Sequence, residues 1–339
     1  MRSNFVATWS ASALAIAVVL AVTATVAGGQ GGAAVPQGWT PPMTPWGDPD
    51  LQGAWTNGTL TPLQRPADLA GQELLNDEEL ALRNVTTRLR DDGPVQGPVG
   101  FYNDFWLEQG DLSRRTALIV DPRDGRLPPV TPAERELQAA RRDSYTDSHR
   151  PHGTRFDSWD DFNMLDRCIT RGMPGLMIPG FYNHNYLILQ TPDHVAIQVE
   201  MIHDARIIPL DGRPGLAPRM RQWLGSSRGR WEGDTLVVET SGFTDKVRRR
   251  TGYFPSVVFG GDARLHVVER FTRVAADTID YRFTVTDPTV WTAPWTAAIP
   301  MTTLDGSLFE YACHEGNYAV PNALGGTRAE ERAGILDTP

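Results

Sequence analysis

From His184 onward the apolar residues of this chain recur at every second position, a spacing that suits extended backbone and not helix. Val195, Ile197, Val199, Met201 and His203 fall on one face, while Ala196, Gln198, Glu200 and Ile202 fall on the other. Ile279, Tyr281, Phe283 and Val285 alternate in the same way with Asp280, Arg282, Thr284 and Thr286. Successive side chains of a strand point to opposite faces, so this pattern reads as half-buried strands with one face on a core. Asp211-Gly212, Gly233-Asp234 and Asp305-Gly306 sit between such runs, as tight hairpin turns require. Strands are predicted over residues 185–191, 194–203, 205–210, 227–232, 235–241, 263–273, 278–286, 290–303 and 308–314.

Strands joined in sequence by short turns make an antiparallel meander, and one of this size curls or splits to protect its edges. The expected fold is mainly β: an antiparallel meander closing into a calycin-like barrel or a sandwich, with a few peripheral helices. Residues 76–90 read as a helix that opens on an Asn/Asp cap and an acidic turn and ends basic. Residues 131–142 open with Thr131-Pro132-Ala133-Glu134, a capping-box spacing. A third, short helix is expected over residues 217–224.

The chain begins Met1-Arg2-Ser3, continues into an apolar run from Ala11 to Val22 and then reaches small residues, which is the order of a secretory signal with cleavage near Ala27. A retained membrane anchor is the competing reading, but the run is short for a span. Residues 28–42 read as a flexible leader and 43–339 as one β-rich domain. Within it, a loop and helix layer covers about 43–165 and the meander about 166–320. The expected location is periplasmic or secreted, with no stable membrane span after processing. The two cysteines, Cys168 and Cys313, are then most simply a disulfide. A formal charge of -9 argues against a nucleic-acid partner, which needs clustered Lys and Arg.

Several segments, Thr44-Pro45-Trp46-Gly47-Asp48-Pro49-Asp50-Leu51-Gln52-Gly53, Arg221-Gln222-Trp223-Leu224-Gly225, RWEGDTLVVET at 230–240 and FEYACHEGNY at 309–318, resemble those of an uncharacterised group of exported bacterial proteins. The resemblance spans most of the mature chain. It implies a bacterial, cell-envelope origin and brings no activity or catalytic residue with it.

Gly225-Ser226-Ser227-Arg228-Gly229 satisfies the pattern of a hydrolase nucleophile elbow, but that elbow needs a strand before the serine and a helix after it. Here the predicted order is reversed, so the segment is read as a loop. His149 and His152, with Asp157, have a spacing open to a metal, although nothing nearby completes a zinc pattern and a polar surface loop is the simpler reading. No Gly-rich phosphate loop, H-E-x-x-H or C-x-x-C occurs in the mature part, and no cofactor is expected.

The candidate chemistry lies in three strand-end clusters: Tyr182-Asn183-His184-Asn185, Glu200 to Arg206, and His314 to Tyr318. In phase with four apolar residues, His203 is expected to point inward. Imidazole both gives and accepts a proton near neutrality, and a carboxylate beside it fixes its tautomer. His203 and His314 are therefore the candidate acid and base, with Asp204, Glu315 and Tyr182 in support; a structural core histidine is the plainer alternative. A Cys168–Cys313 link would pin the His314 segment. Trp291 and Trp295, four apart, are expected on one face as a stacking platform or as core. Asn183, His184 and Arg206, with Arg167, would hold the rest of a ligand, and Phe101 to Trp106 would cap a cavity or be buried.

These residues suggest an exported enzyme performing acid/base chemistry, by isomerisation, elimination or hydrolysis, on a small apolar or ring-containing substrate in a barrel pocket. The alternatives are a non-catalytic carrier of a hydrophobic small-molecule ligand in the cell envelope, and a metal held by His184, His203 and His314 with Glu200 or Glu315.

Overall fold

Ten short or medium strands pair into one antiparallel sheet: β1 (Gly53–Thr56), β2 (Ile119–Asp121), β3 (Asn185–Gln190), β4 (His194–Val199), β5 (Ala205–Pro209), β6 (Ser226–Glu232), β7 (Thr235–Ser241), β8 (His266–Ala275), β9 (Thr278–Thr286) and β10 (Trp295–Thr303). They are seen in a computed structural model that describes residues 38–91, 108, 110–140, 155–162, 164–180, 182–247 and 263–336. Residues 1–37, which cover the expected signal segment and most of the expected leader, lie outside the described residues, as do His149, His152 and Phe101 to Trp106. The strand order is β5-β4-β3-β1-β10-β9-β8-β7-β6, with β2 paired to β10 off this path, and the sheet is nearly closed into a barrel. Residues Gly31–Pro339 form one compact unit. Among the described residues no helix is long and apolar enough to cross a membrane.

Period-two alternation sets which residues meet. Cross-strand pairing places Trp295, Val285, Val267, Thr240 and Ser227 in one row, Ala297, Phe283, Glu269, Val238 and Gly229 in the next, and Ile299, Tyr281, Phe271, Leu236 and Trp231 in a third. On the other side of the barrel Ile188, Ile197 and Arg206 share a row, as do Gln190, Val195 and Ile208. Together these residues form the inner face. An aromatic column fills it: ring centroids of Phe271 and Tyr281 lie 4.7 Å apart, Tyr281 and Phe283 5.8 Å, and Phe283 and Trp295 5.5 Å. Trp55, Tyr186 and these four rings are fully buried, each worth roughly 1.5–3 kcal/mol of apolar burial.

The ends of the meander, β5 and β6, meet through side chains and not through a ladder. Ile208 and Leu210 crowd Gly229, where an added Cβ would come within 2.9 and 2.6 Å of their methyl groups. Across this seam the Arg206 guanidinium pairs with the Glu269 carboxylate, both ends fully buried. Arg206 Nη1 donates to Glu269 Oε1 at 2.9 Å and Nη2 donates to Oε2, while the Tyr281 hydroxyl donates to Oε1 at 2.9 Å. Burial and then the Glu269 charge push the Tyr281 phenol well above its usual range, so it stays a donor. Arg206, expected to hold an anionic ligand, is instead a core residue.

Three α-helices occur among the described residues: α1 (Asp77–Asp91), α2 (Pro132–Ala140) and α3 (Ala319–Arg332). In α1 the capping box is reciprocal, with Glu79 N donating to Asn76 Oδ1 and Asn76 N donating to Glu79 Oε2, both at 2.9 Å. Thr131 Oγ1 caps α2 by accepting from Glu134 N at 3.2 Å. The periodicity did not announce α3, since Pro321, Gly325 and Gly326 lie within it; Pro321 falls in the first turn, where its missing N–H has no intrahelical partner anyway. Docking stabilises it: Phe156 N donates to Thr327 Oγ1 at 2.9 Å, and Arg155 donates to Glu331 Oε1 at 2.8 Å.

Four stretches differ from the expectation. The strand predicted to 203 ends at Val199, and the strand predicted from 290 begins at Trp295. Residues 308–314 form no strand, and 217–224 are turns and not a helix. Conversely, the N-terminal stretch contributes β1 and β2, too short to show a period. The disulfide Cys168–Cys313 is formed across 145 residues, a loop length worth about 4–5 kcal/mol in the chain-entropy account.

Removing one partner of the seam pair strands a buried charge. Glu269→Ala is expected to cost about 3–5 kcal/mol in urea unfolding, and the double change Arg206→Met with Glu269→Leu to restore most of that loss. A single change costing less than about 1 kcal/mol would show that the pair does not hold the seam.

Candidate functional site

Because β3 and β4 are antiparallel, with Tyr186 opposite Val199, the residues before β3 and after β4 emerge at the same end of the barrel. Asn183 has a left-handed φ of 54°, which Asn tolerates better than most residues. Its Nδ2 donates to Glu200 Oε1 at 2.6 Å, and Asn185 Nδ2 donates to Glu200 Oε2 at 2.8 Å. Asn185 Nδ2 also donates to Glu108 Oε2 at 3.0 Å, and Asn183 N donates to the same oxygen at 3.0 Å. Two carboxylates are thus joined on one amide group. Glu200 is buried, whereas Glu108 is exposed as a residue although its carboxyl end rests in the rim. Burial of that carboxyl, and then the charge of Glu200, raise the Glu108 pKa above the usual range against the amide hydrogen bonds that favour its ionised form.

Glu108 is brought to the rim by a close backbone approach. A Cβ at Gly110 would lie 2.0 Å from Gly58 O, and one at Gly58 would lie 3.1 Å from Glu108 O. Alongside, Thr59 Oγ1 donates to Asp111 O at 2.8 Å and Ser113 N donates to Thr61 Oγ1 at 2.8 Å. Only glycine at 110 lets the segment lie this close.

Beneath the pair, His184 is buried. Arg171 Nη1 lies 3.1 and 3.3 Å from its two ring nitrogens, and a Cβ at Gly180 would fall 2.2 Å from Nε2. Burial, and then the Arg171 charge, hold the imidazole well below its ordinary pKa, so it is neutral at neutral pH. Asp204 stands beside this group and accepts from Thr170 Oγ1 at 2.8 Å. Its carboxyl is pushed up to about 6 by burial, against the Thr170 hydrogen bond and the charges of His203 and Arg206.

The histidines expected inside the barrel are outside it. The chain leaves β4 through a turn in which Ile202 and His203 take left-handed φ of 62° and 51°, and this reverses the alternation that pointed His203 inward. His203 is exposed, with Nδ1 3.1 Å from Tyr311 O. His314 and Glu315 are exposed in the turn that follows Cys313, and Tyr182 is half-buried. His184 lies under the rim, where it supports and does not face solvent. Trp291 and Trp295 are buried, their rings 6.3 Å apart at 80°, so they pack edge to face in the core and offer no flat platform. Arg167 lies over the Trp159 ring at 5.0 Å. The G-x-S-x-G serines lie in β6, not in a loop, with Ser227 Oγ 2.9 Å from Thr240 Oγ1; no helix follows to form an elbow. Among the described residues no three His, Cys, Asp or Glu side chains are grouped to hold a metal, so His184, His203 and His314 do not assemble one.

The residues that sequence reasoning missed are Glu108, Thr170, Arg171 and the two glycines at 58 and 110. Cys168, Asn183, Ile202 and His203, the four non-glycine residues with left-handed φ among those described, all border this rim. Such conformations cost of order 1–3 kcal/mol each, most for a β-branched residue, and they collect where a site is held in shape. No protein-family model, curated protein or solved structure matches the chain.

The raised Asp204 carboxyl has a consequence for stability. Between about pH 4 and 6 the folded chain keeps a proton there that the unfolded chain has released, so this group's contribution falls as pH rises through that window and is level above it. Asp204→Asn is expected to raise the melting temperature relative to the parent progressively from pH 4 to 6.5, as thermal unfolding monitored by circular dichroism would record. A difference independent of pH would remove Asp204 as the source.

Proposed function

We propose that this chain is an exported enzyme that moves a proton on a small molecule at the barrel rim, with Glu108 as the exchanging group. The observation that carries this reading is the pair of carboxylates joined on Asn185, one buried and one exposed. A general acid works best with a pKa near the operating pH, and a second carboxylate in reduced solvent is a standard way to raise one. Glu200, buried and fixed by two amides, supplies that charge; Glu108, open to solvent, delivers the proton. Isomerisation, elimination and hydrolysis all use such a delivery.

The surroundings bear on the substrate class. The rim carries carboxylates, amides and imidazoles, whereas the nearby guanidiniums are engaged: Arg206 with Glu269, Arg171 on His184 and Arg167 on Trp159. With an overall charge of -9, this favours a neutral polar or cationic small molecule over an anion, and it argues against a nucleic acid. The aromatic column fills the barrel interior, so the substrate sits at the rim. The basic start, the apolar run and a formed disulfide support export. One observation favours a non-catalytic ligand-binding role instead: His203 bonds a backbone carbonyl, as a structural histidine does.

Carboxyl-detected NMR tests the proposal without knowledge of the substrate. Glu108 is expected to titrate above the usual glutamate range in the parent, and Glu200→Gln to lower its midpoint. An ordinary midpoint that Glu200→Gln leaves in place would sink the reading. With a substrate in hand, Glu108→Gln is expected to lower kcat by about 10²–10⁴-fold with the fold unchanged.

A further inference from the structure

We propose that Cys168–Cys313 is a thiol–disulfide exchange site that clamps the rim, and that a dithiol opens it by attack on Cys313 with Cys168 leaving. The inference builds on the rim being the functional site.

The bridge joins two segments that have no strand pairing of their own, residues 164–171 and 311–318. Besides the contact of Asn317 with Asp166 between them and the packing of Leu165 and Tyr311 on the core, each segment reaches the rim. From the first, Thr170 Oγ1 donates to Asp204 and Arg171 rests on His184. From the second, Tyr311 O lies 3.1 Å from His203 Nδ1. Cys168 itself is left-handed at φ 53°, a conformation that a cysteine holds only when its surroundings fix it. Cutting the bridge removes the covalent tie between these segments and leaves the Asn317–Asp166 hydrogen bond to hold them, so the placement of His203, Asp204 and His184 loosens together. The barrel seam is untouched, since Arg206 and Glu269 contact neither segment's backbone and β6 to β9 pair among themselves.

The two sulfurs differ in a way that gives the exchange a direction. Cys168 is buried, whereas Cys313 is part exposed between the exposed residues Ala312 and His314, which makes Cys313 the accessible sulfur. Asn317 Nδ2 lies 3.3 Å from Cys168 Sγ and also donates to Asp166 O at 3.2 Å. A donor at that distance stabilises negative charge on Cys168, and a better-stabilised thiolate leaves faster. One thiolate of the incoming dithiol attacks Cys313 Sγ, the Cys168–Cys313 bond breaks, and its electron pair remains on Cys168 beside Asn317. The second thiol of the dithiol then displaces Cys313 from the mixed disulfide. The dithiol is oxidised to a disulfide, and the two cysteines together take up two electrons and two protons.

Hydrogen exchange of the folded, oxidised full chain before and after dithiothreitol tests the clamp. Reduction is expected to raise amide exchange about tenfold or more over 183–185, 200–204 and 311–318, with β6 to β9 keeping the slowest exchange of the chain. Unchanged exchange at 183–185 and 200–204 would overturn the proposal, and so would loss of protection in β6 to β9, which would make the bridge a staple of the whole fold. Asn317→Ala, oxidised and folded, is expected to be reduced several-fold more slowly than the parent; an equal or faster rate would remove Cys168 as the leaving thiolate. These readouts do not involve the Glu108 titration, so either proposal can fail alone.

Discussion

The ion pair between Arg206 and Glu269 is the interaction on which the shape of this molecule turns. A meander has two free ends, and here they approach with Gly229 facing Ile208 and Leu210 but with no backbone ladder between them. Apolar packing at such a seam accepts many registers, because dispersion has no direction. A two-point guanidinium–carboxylate contact accepts one, and Tyr281, Ser227 and Thr240 add oxygen atoms around it. A buried pair of this kind adds little net stability over apolar side chains of the same volume. Its contribution is registry: β5 is set against β6 to β8 at one position, and that position fixes where the turn after β4 emerges.

A second consequence follows from the packed interior. With Trp55, Tyr186, Phe271, Tyr281, Phe283 and Trp295 fully buried, the barrel axis is occupied by side chains, and polar chemistry is displaced to the strand ends. The rim between β3 and β4 receives it because the antiparallel pair delivers Asn183 to Asn185 and Glu200 to Asp204 to one place. The segment carrying Glu108 arrives from 75 residues earlier in the chain to complete the group.

How much of this was legible in the sequence depends on the range of the interaction. The strands from β3 to β10 follow from alternation, and the Gly233 turn follows from its residue type, with φ 58° between paired Glu232 and Thr235. His203 points away from the side that alternation predicts, because alternation continues through it in the sequence; nothing local marks the break, and Ile202 argues against a left-handed turn. The turn is imposed by contacts that close it from both sides, Val199 N to Asp204 O at 2.8 Å and His203 N to Glu200 O at 3.0 Å. Trp291 lies outside β10 for a related reason: Asp287 accepts from Thr289 N and its carbonyl accepts from Trp291 N, so the chain turns before β10 and the two tryptophans do not share a strand, although both are core. Glu108 was out of reach altogether, since its partners are distant in sequence and its only local hint, Gly110, makes sense once Gly58 is seen against it.

The rim also departs from what stability alone would select. Glu200 is a buried carboxylate held by amides, Ile202 is a β-branched residue in a left-handed conformation, His184 is a buried imidazole against a guanidinium, and Asp204 is a part-buried acid. Each is unfavourable by itself. Elsewhere the same chain obeys local rules closely, in the reciprocal cap of α1 and in the unbroken alternation of β9. A sequence that is consistent at most levels and departs from consistency in one patch points to that patch as the place where something other than folding is being selected. The disulfide, the Gly58–Gly110 contact and the turn after β4 all converge on it, and together they hold two carboxylates and a neutral imidazole in positions that an unconstrained chain would not keep.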